Sequence, residues 1–514
     1  AYNLTFMFNI TRLSGFCLML LSLLAACSQS AEDNAPSEKP NVVLLFTDDQ
    51  TFETIEALGY DEVHTPNLNR LVRSGSTFTH AYNMGGWNGA VCIASRSMMI
   101  SGRHIWRAQQ QDSLWRANDT TAIQQTWGQI MQRNGYHTYM SGKWHVKAPA
   151  TQVFDTVRHE RPGMPPDRWG QGGGRKVLEA MREGGDVAAA MPVGYNRPLD
   201  KNDDSWSPSD TTMGGFWKGG KHWSEVLKDD ALLFIEDATK RPEPFFMYLA
   251  FNAPHDPRQS PQAYVDQYPL ENISLPESFL AEYPWKDSIG NGQGLRDEAL
   301  APFPRTAYAI KKHRQEYYAL ITHLDQQIGT ILDALEQSGE MENTYIFFTA
   351  DHGLAVGQHG LVGKQNMFDH SIRVPLMLSG PDIPEGKQFD EDVYLQDVMA
   401  TSLQLAGIER PPYVEFHSFL DIIRGERTQS HYEAIYGAYI DYQRMIRKDG
   451  YKLIVYPRIN KVLLFDLKND PEETQNLAED PAQAERVREL FADLLELQED
   501  MGDKLNLQET YQSL

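Results

Sequence analysis

Asn41-Val42-Val43-Leu44-Leu45-Phe46-Thr47-Asp48-Asp49-Gln50 is apolar without a break from Val42 to Phe46 and then turns abruptly polar. An uninterrupted apolar run of strand length is what a parallel strand covered on both faces requires. The same design returns further along. Tyr136–Met140 leads into Ser141-Gly142-Lys143-Trp144-His145, Phe245–Phe251 into Asn252-Ala253-Pro254-His255, and Tyr345–Thr349 into Ala350-Asp351-His352-Gly353. Between the strands, residues 66–74, 120–134 and 314–337 carry apolar side chains at helical spacing. Thr65 is the expected cap of the first of these helices, and Gly135 and Gly339 follow the other two. Strands alternating with helices predict an α/β fold: a large, mostly parallel sheet flanked by helices. Ligands of such sheets bind beyond the carboxyl ends of the strands. Asp48, Asp49, Lys143, His145, His255, Asp351 and His352 are therefore expected along one sheet edge.

The stretch Gly85–Arg103, GGWNGAVCIASRSMMISGR, supplies a thiol to that edge. Ser95–Ile100 reads as a short helix stopped by Gly102, which places Cys92 just before a helix N-terminus, where an anion is favoured. Arg96, one turn on, would aim its guanidinium at the same place. A nucleophile, a helix N-terminus and an arginine describe a site for an oxyanion ester.

Composition agrees. The 514 residues carry a formal charge of −23, which argues against nucleic acid as a partner. An anionic substrate must then be held by a local basic pocket. The chain has three cysteines. Cys17 lies in the apolar run Leu13–Ala26, which resembles a secretory signal and is too short for a membrane span. Cys27 closes Leu24-Ala25-Ala26-Cys27, which resembles a bacterial lipobox. The expectation is a lipoprotein signal peptide over 1–27, a flexible tether over 28–40, and an exported protein whose contact with a membrane is a lipid anchor at Cys27. Cys92 is then the lone thiol of the exported part and a candidate for reactive chemistry.

Beyond residue 425 short β runs succeed one another up to Asp466, followed by a helix over 482–498, so a smaller C-terminal antiparallel sheet plus helix is expected. The proposed division is a catalytic domain over 41–425, interrupted by an irregular insertion at 151–223, and a C-terminal subdomain over 426–514.

Cys92-Ile93-Ala94-Ser95-Arg96 followed by Ser101-Gly102 resembles the signature of type I, formylglycine-dependent sulfatases of the alkaline phosphatase superfamily. Ala94 stands where the family usually has proline. Asp48-Asp49, Gly142-Lys143-Trp144-His145, Ala253-Pro254-His255, Asp351-His352-Gly353 and His359–Lys364 resemble further family motifs, in the family's order. The resemblance extends to Asp470-Pro471-Glu472 and covers nearly all of the chain after Pro40.

It implies that Cys92 is oxidised by a maturation enzyme to formylglycine, whose aldehyde hydrate attacks sulfur. It further implies that Asp48, Asp49, Asp351 and Cys92 surround one divalent ion. Oxygen-rich ligation suits calcium; His352 either ligates or only orients the site. Lys143, Lys364 and Arg96 would neutralise sulfate oxygens. His255, with Lys364, would protonate the leaving oxygen, and His145 would act as the base that releases sulfate. The expected substrate is a sulfated carbohydrate, an oligo- or polysaccharide such as those of algae. Trp87, Trp169, Tyr195, Arg197, Trp206, Trp217, Lys221, His222 and Trp223 flank the site in sequence and suit sugar rings or plain packing. The rivals are a phosphomonoester or phosphonate monoester hydrolase of the same superfamily, and a non-catalytic glycan-binding lipoprotein.

Overall fold

Val42, Leu44 and Phe46 face one side of a central sheet and Val43 and Leu45 the other, and all five are fully buried. Helices cover both faces, so period-two alternation leaves no polar side, which explains the unbroken apolar run. The computed structural model describes residues 39–161, 172–192, 200–203, 206–212, 214–216 and 218–511. Pro40–Leu514 forms one compact unit. The signal peptide, Cys27 and the tether up to residue 38 lie outside the described residues.

In chain order the strands are β1 (Asn41–Asp48), β2 (Gly75–Tyr82), β3 (Gly85–Gly86), β4 (His137–Lys143), β5 (Thr156–Arg161), β6 (Phe245–Pro254), β7 (Thr344–Ala350), β8 (Arg373–Ser379), β9 (Lys387–Phe389), β10 (Val393–Tyr394), β11 (Ile435–Tyr439), β12 (Gln443–Lys448), β13 (Tyr451–Tyr456) and β14 (Lys461–Asp466). The large sheet has nine strands in the order β10-β2-β8-β7-β1-β6-β4-β5, with β9 beside β2. Strands β7, β1, β6, β4 and β5 run parallel, and β8 turns antiparallel to β7. The second sheet, β14-β13-β12-β11-β3, is antiparallel except where β3 joins β11.

Several local expectations are corrected. The span 120–134 is two helices, Thr120–Gln124 and Trp127–Arg133, and the first is capped by Asp119. Thr65 does not cap the helix Pro66–Ser74; its hydroxyl accepts from Glu56 N–H. The cap comes from far away, since the Asp325 carboxylate accepts from Asn67 and Leu68 N–H at 3.0 and 2.7 Å. The helix does stop at Gly75, which is extended and begins β2. The supposedly irregular 151–223 contains β5, an edge strand of the large sheet. Its sequence, Thr-Val-Arg-His-Glu-Arg, is too polar to show an apolar run, as an edge strand is free to be. The long helix starts earlier than its stripe suggested, spanning Ala307–Ser338.

Candidate active site

Strands β1, β4, β6 and β7 are mutually parallel neighbours, so their polar carboxyl ends emerge along one edge. Two of the residues there take a left-handed backbone: Asp49 at φ 67° and His145 at φ 55°. Such conformations in non-glycine residues cost on the order of 1–3 kcal/mol and concentrate at functional sites. Gly142, at φ 95°, is a glycine of necessity, because a Cβ there would lie 2.0 Å from Ala250 O of β6.

Cys92 lies inside the first turn of the helix Val91–Ser101 rather than just before it, and Gly102 ends that helix at φ 67°. Its Sγ is 3.3 Å from His352 Nε2 and 3.5 Å from Lys364 Nζ. Burial pushes the thiol up, but Lys143, Lys364, His352 and a hydrogen bond from His145 outweigh it and hold the group well below the usual thiol range.

One ligating atom from each of Asp48, Asp49, Cys92 and His352 falls within 4.8 Å of every other. Asp351 abuts this set: its Oδ1 accepts from Asp49 N–H at 3.2 Å and lies 3.6 Å from His352 Nε2. Arg96 is tied to these carboxylates rather than aimed only at a substrate. Its Nε donates to Asp351 Oδ2 at 2.9 Å and its Nη1 to Lys143 O at 2.7 Å. Lys143 Nζ pairs with Asp48 Oδ2, and Lys364 Nζ donates to both Asp49 oxygens at 2.8 and 2.9 Å. Among the described residues, Asp48 Oδ1, Arg96 Nη2 and His145 Nδ1 are buried without a hydrogen-bond partner. Buried polar atoms are normally satisfied. An orphaned acceptor among clustered carboxylates fits a hard divalent cation, and an orphaned guanidinium N–H fits an anion.

Charge distribution separates the carboxylates and the histidines. Burial and Asp351 push Asp48 up. Asp351 falls below the usual carboxylate range although burial opposes this, because His352 and Arg96 face it. Burial disfavours charge on His352, yet Asp351, Asp49 and Cys92 raise it to about 9. Burial lowers His145. For His255 burial and Lys364 act downward, but Asp49, Asp256 and Asp48 lift it above the ordinary value. His255 Nδ1 lies 2.7 Å from Asp256 O, which leaves Nε2, 3.8 Å from Asp49 Oδ2, facing the site.

A family model described as Sulfatase matches residues 40–408, and a second, described as N-sulphoglucosamine sulphohydrolase, C-terminal, matches residues 357–500. The chain belongs to the sulfatase family.

The sulfatase is 28% identical to an arylsulfatase of Clostridium perfringens over 464 residues, covering 85% of this chain and 90% of that one. It is 23% identical to an N-acetylglucosamine-6-O-sulfatase of Bacteroides thetaiotaomicron, covering 90% and 86%. A solved structure of a protein bound to its substrate D-glucosamine-2-N,6-O-disulfate superimposes with a TM-score of 0.68 at 21% identity, over 91% of this chain and 99% of that one. That likeness speaks for the fold.

Sequence reasoning overlooked Tyr317, Asp256, Arg296 and Asp297. Tyr317 OH donates to Asp49 O at 2.5 Å and accepts from Thr51 N–H, fixing the loop that follows Asp48 and Asp49. None of the four stands in a recognisable motif; only their proximity in space marks them. Of the aromatic candidates, Trp206 donates to Glu316, and Trp223 lies 4.2 Å under Arg161. His222 accepts from Ser224 N–H, and Lys221 pairs with Asp229. Beyond these contacts, His222 and Trp223 line a cavity together with Asn252, His255 and Asp256. Trp87 is half-buried and packs beside the second sheet. Trp169, Tyr195, Arg197 and Trp217 lie outside the described residues.

Proposed function

We propose that this sulfatase removes sulfate from a sulfated carbohydrate, with Cys92 matured to formylglycine and a calcium ion held by Asp48, Asp49 and Asp351, beside which His352 orients the site. The observation that carries the reading is the surrounding of Cys92. A lone cysteine of Pro40–Leu514 sits between two lysines, two histidines and three carboxylates, beside orphaned polar atoms that a cation and an anion would satisfy. The name of the Bacteroides relative supports a sugar sulfate as substrate.

Formylglycine would supply a hydrated aldehyde, with one hydroxyl to attack sulfur and a second through which sulfate can be expelled. The ion would supply charge that polarises the sulfate. The chain's own residues do the rest. Lys143, Lys364 and Arg96 balance the negative charge of the carboxylates and of a sulfate group. His255, raised, keeps a proton at Nε2 for the leaving oxygen, whereas His145, lowered, stays neutral and can take one beside Cys92. Environments that push two titratable groups apart in this way assign an acid and a base.

The test is mass spectrometry of the tryptic peptide containing Cys92 alongside sulfate-ester turnover. Activity should rise with the aldehyde fraction, including on co-expression with a maturation enzyme that accepts Ala94, and Cys92→Ala should abolish it. Full multiple turnover from protein carrying an intact Cys92 thiol would overturn the reading.

A further inference from the structure

Beside the reaction site, Arg296 joins two buried carboxylates from different segments, Asp256 just after β6 and its own neighbour Asp297. Its Nη1 donates to Asp256 Oδ2 at 2.5 Å and its Nη2 to Asp256 Oδ1 at 3.1 Å, a bidentate fork, and Nη2 also pairs with Asp297 Oδ1. The side chains of Asp256 and Asp297 are 3% and 7% exposed. Each carboxylate attends one of the two groups, His255 and Lys364, to which the proposed reaction gives the leaving oxygen. Asp256 lies against His255, with Oδ1 3.4 Å from Nδ1 and its carbonyl oxygen nearer at 2.7 Å. Asp297 Oδ2 accepts from Gln365 Nε2 at 2.6 Å and lies 4.0 Å from Lys364 Nζ. One guanidinium therefore fixes the neighbours of His255 and Lys364 together. Without it two buried like charges would repel each other, and both neighbours would be free to shift.

We infer that Arg296 is a positioning residue for leaving-group protonation, acting through Asp256 on His255 and through Asp297 on Lys364; this rests on the sulfatase reaction proposed above. In that reaction a hydroxyl oxygen of the aldehyde hydrate would bond to sulfur as the bond between sulfur and the ester oxygen breaks; the electron pair of the broken bond stays on the ester oxygen, and a proton from His255 Nε2 or Lys364 Nζ converts it to the alcohol. An alcohol that is a poor leaving group needs that proton in the transition state. A nitrophenolate scarcely does. Arg296 should accordingly matter in proportion to the basicity of the departing oxygen.

The experiment compares kcat/KM for 4-nitrophenyl sulfate and unsubstituted phenyl sulfate in wild type, Arg296→Gln and Arg296→Lys. The ratio of two substrates in one preparation is independent of the folded or matured fraction. Arg296→Gln should lose roughly 10-fold or more on phenyl sulfate beyond its loss on 4-nitrophenyl sulfate, within the range that acid catalysis supplies. Arg296→Lys, which keeps the charge without the fork, should fall between. If Arg296→Gln shows no turnover, the same ratio is read on Arg296→Lys. Equal fold losses on both substrates would overturn the assignment. A wild-type enzyme carrying the aldehyde at position 92 that hydrolyses neither these aryl sulfates nor sulfated sugars would count against the proposed reaction instead.

Discussion

At the residue scale, the site is a balance of buried charge. Arg96 is fully buried and makes two hydrogen bonds through atoms that only a guanidinium presents together, Nε to Asp351 and Nη1 to the Lys143 carbonyl, while its Nη2 lies 3.9 Å from Asp48 Oδ1. A lysine offers one donor point and cannot reproduce that fork. Arg96→Lys should therefore loosen Asp351 and Asp48 and weaken binding of the proposed calcium ion by about 10–100-fold, the usual cost of losing a partner that orients metal ligands. The readout is thermal unfolding against calcium concentration. Wild type should melt higher as calcium rises, and the variant should need correspondingly more. Coincident calcium curves would show that Arg96 does not organise the site. The thiol, carboxylate and imidazole types at this point were legible in the sequence. Their pairing was not, because Lys143 and Arg96 could as well have faced only the substrate.

At the element scale, the helix Pro66–Ser74 shows how a local motif is displaced by a distant one. Thr65 and Pro66 look like a self-contained start, yet the N-terminal N–H groups of the helix are met by Asp325 on the long helix, which also accepts from Asn67 Nδ2 at 2.9 Å. Asp325→Ala leaves these donors unmatched and should destabilise the protein by about 1–3 kcal/mol in denaturant titration. Burial raises the Asp325 carboxyl to about 6, although the N–H donors of Leu68 and Asn67 oppose it. The native state thus keeps a proton that the unfolded chain has lost from about pH 4 upward. Its contribution to stability falls as pH rises from about 4 to 6, by up to about 3 kcal/mol. Asp325→Asn removes this titration, so wild type should lose stability relative to the variant across that window. A difference that grows in wild type's favour would refute the sign. The break of 120–134 into two helices and the strand β5 escaped the sequence for a related reason: neither interrupts nor creates a clear apolar period.

At the scale of the whole molecule, the two sheets share a core. Strand β3, immediately before Cys92, pairs with β11 through Gly85 and Ala438 and through Gly86 and Tyr439. Val91 and Met98 of the Cys92 helix pack in one cluster with Met445, Ile446, Leu453, Leu490 and Leu494. Lys452 of β13 is buried between Asp369 and Glu473, 2.7 Å from Glu473 Oε1. A chain ending at Gly425 would expose that cluster and leave Asp369 with Arg373 but without Lys452. It should be insoluble or lack a cooperative transition, while the chain from Pro40 onward should unfold in a single calorimetric step. A soluble 40–425 fragment that melts cooperatively would show the second sheet to be an independent module.

The sequence by itself determined the layer architecture, since strands covered on both faces must be apolar throughout and helices must carry a stripe. It also determined which residues stand at the strand ends, because the run of apolar side chains stops where the chain leaves the core. Only the tertiary structure decided which charge meets which. Asp48 with Lys143, Asp49 with Lys364 and Asp351 with Arg96 are partners hundreds or tens of positions apart, and Arg296 is joined to Asp256 across a loop that carries no pattern of its own. Local spacing records burial and period, whereas an ion pair records only distance in space, which the order of strands in the sheet sets.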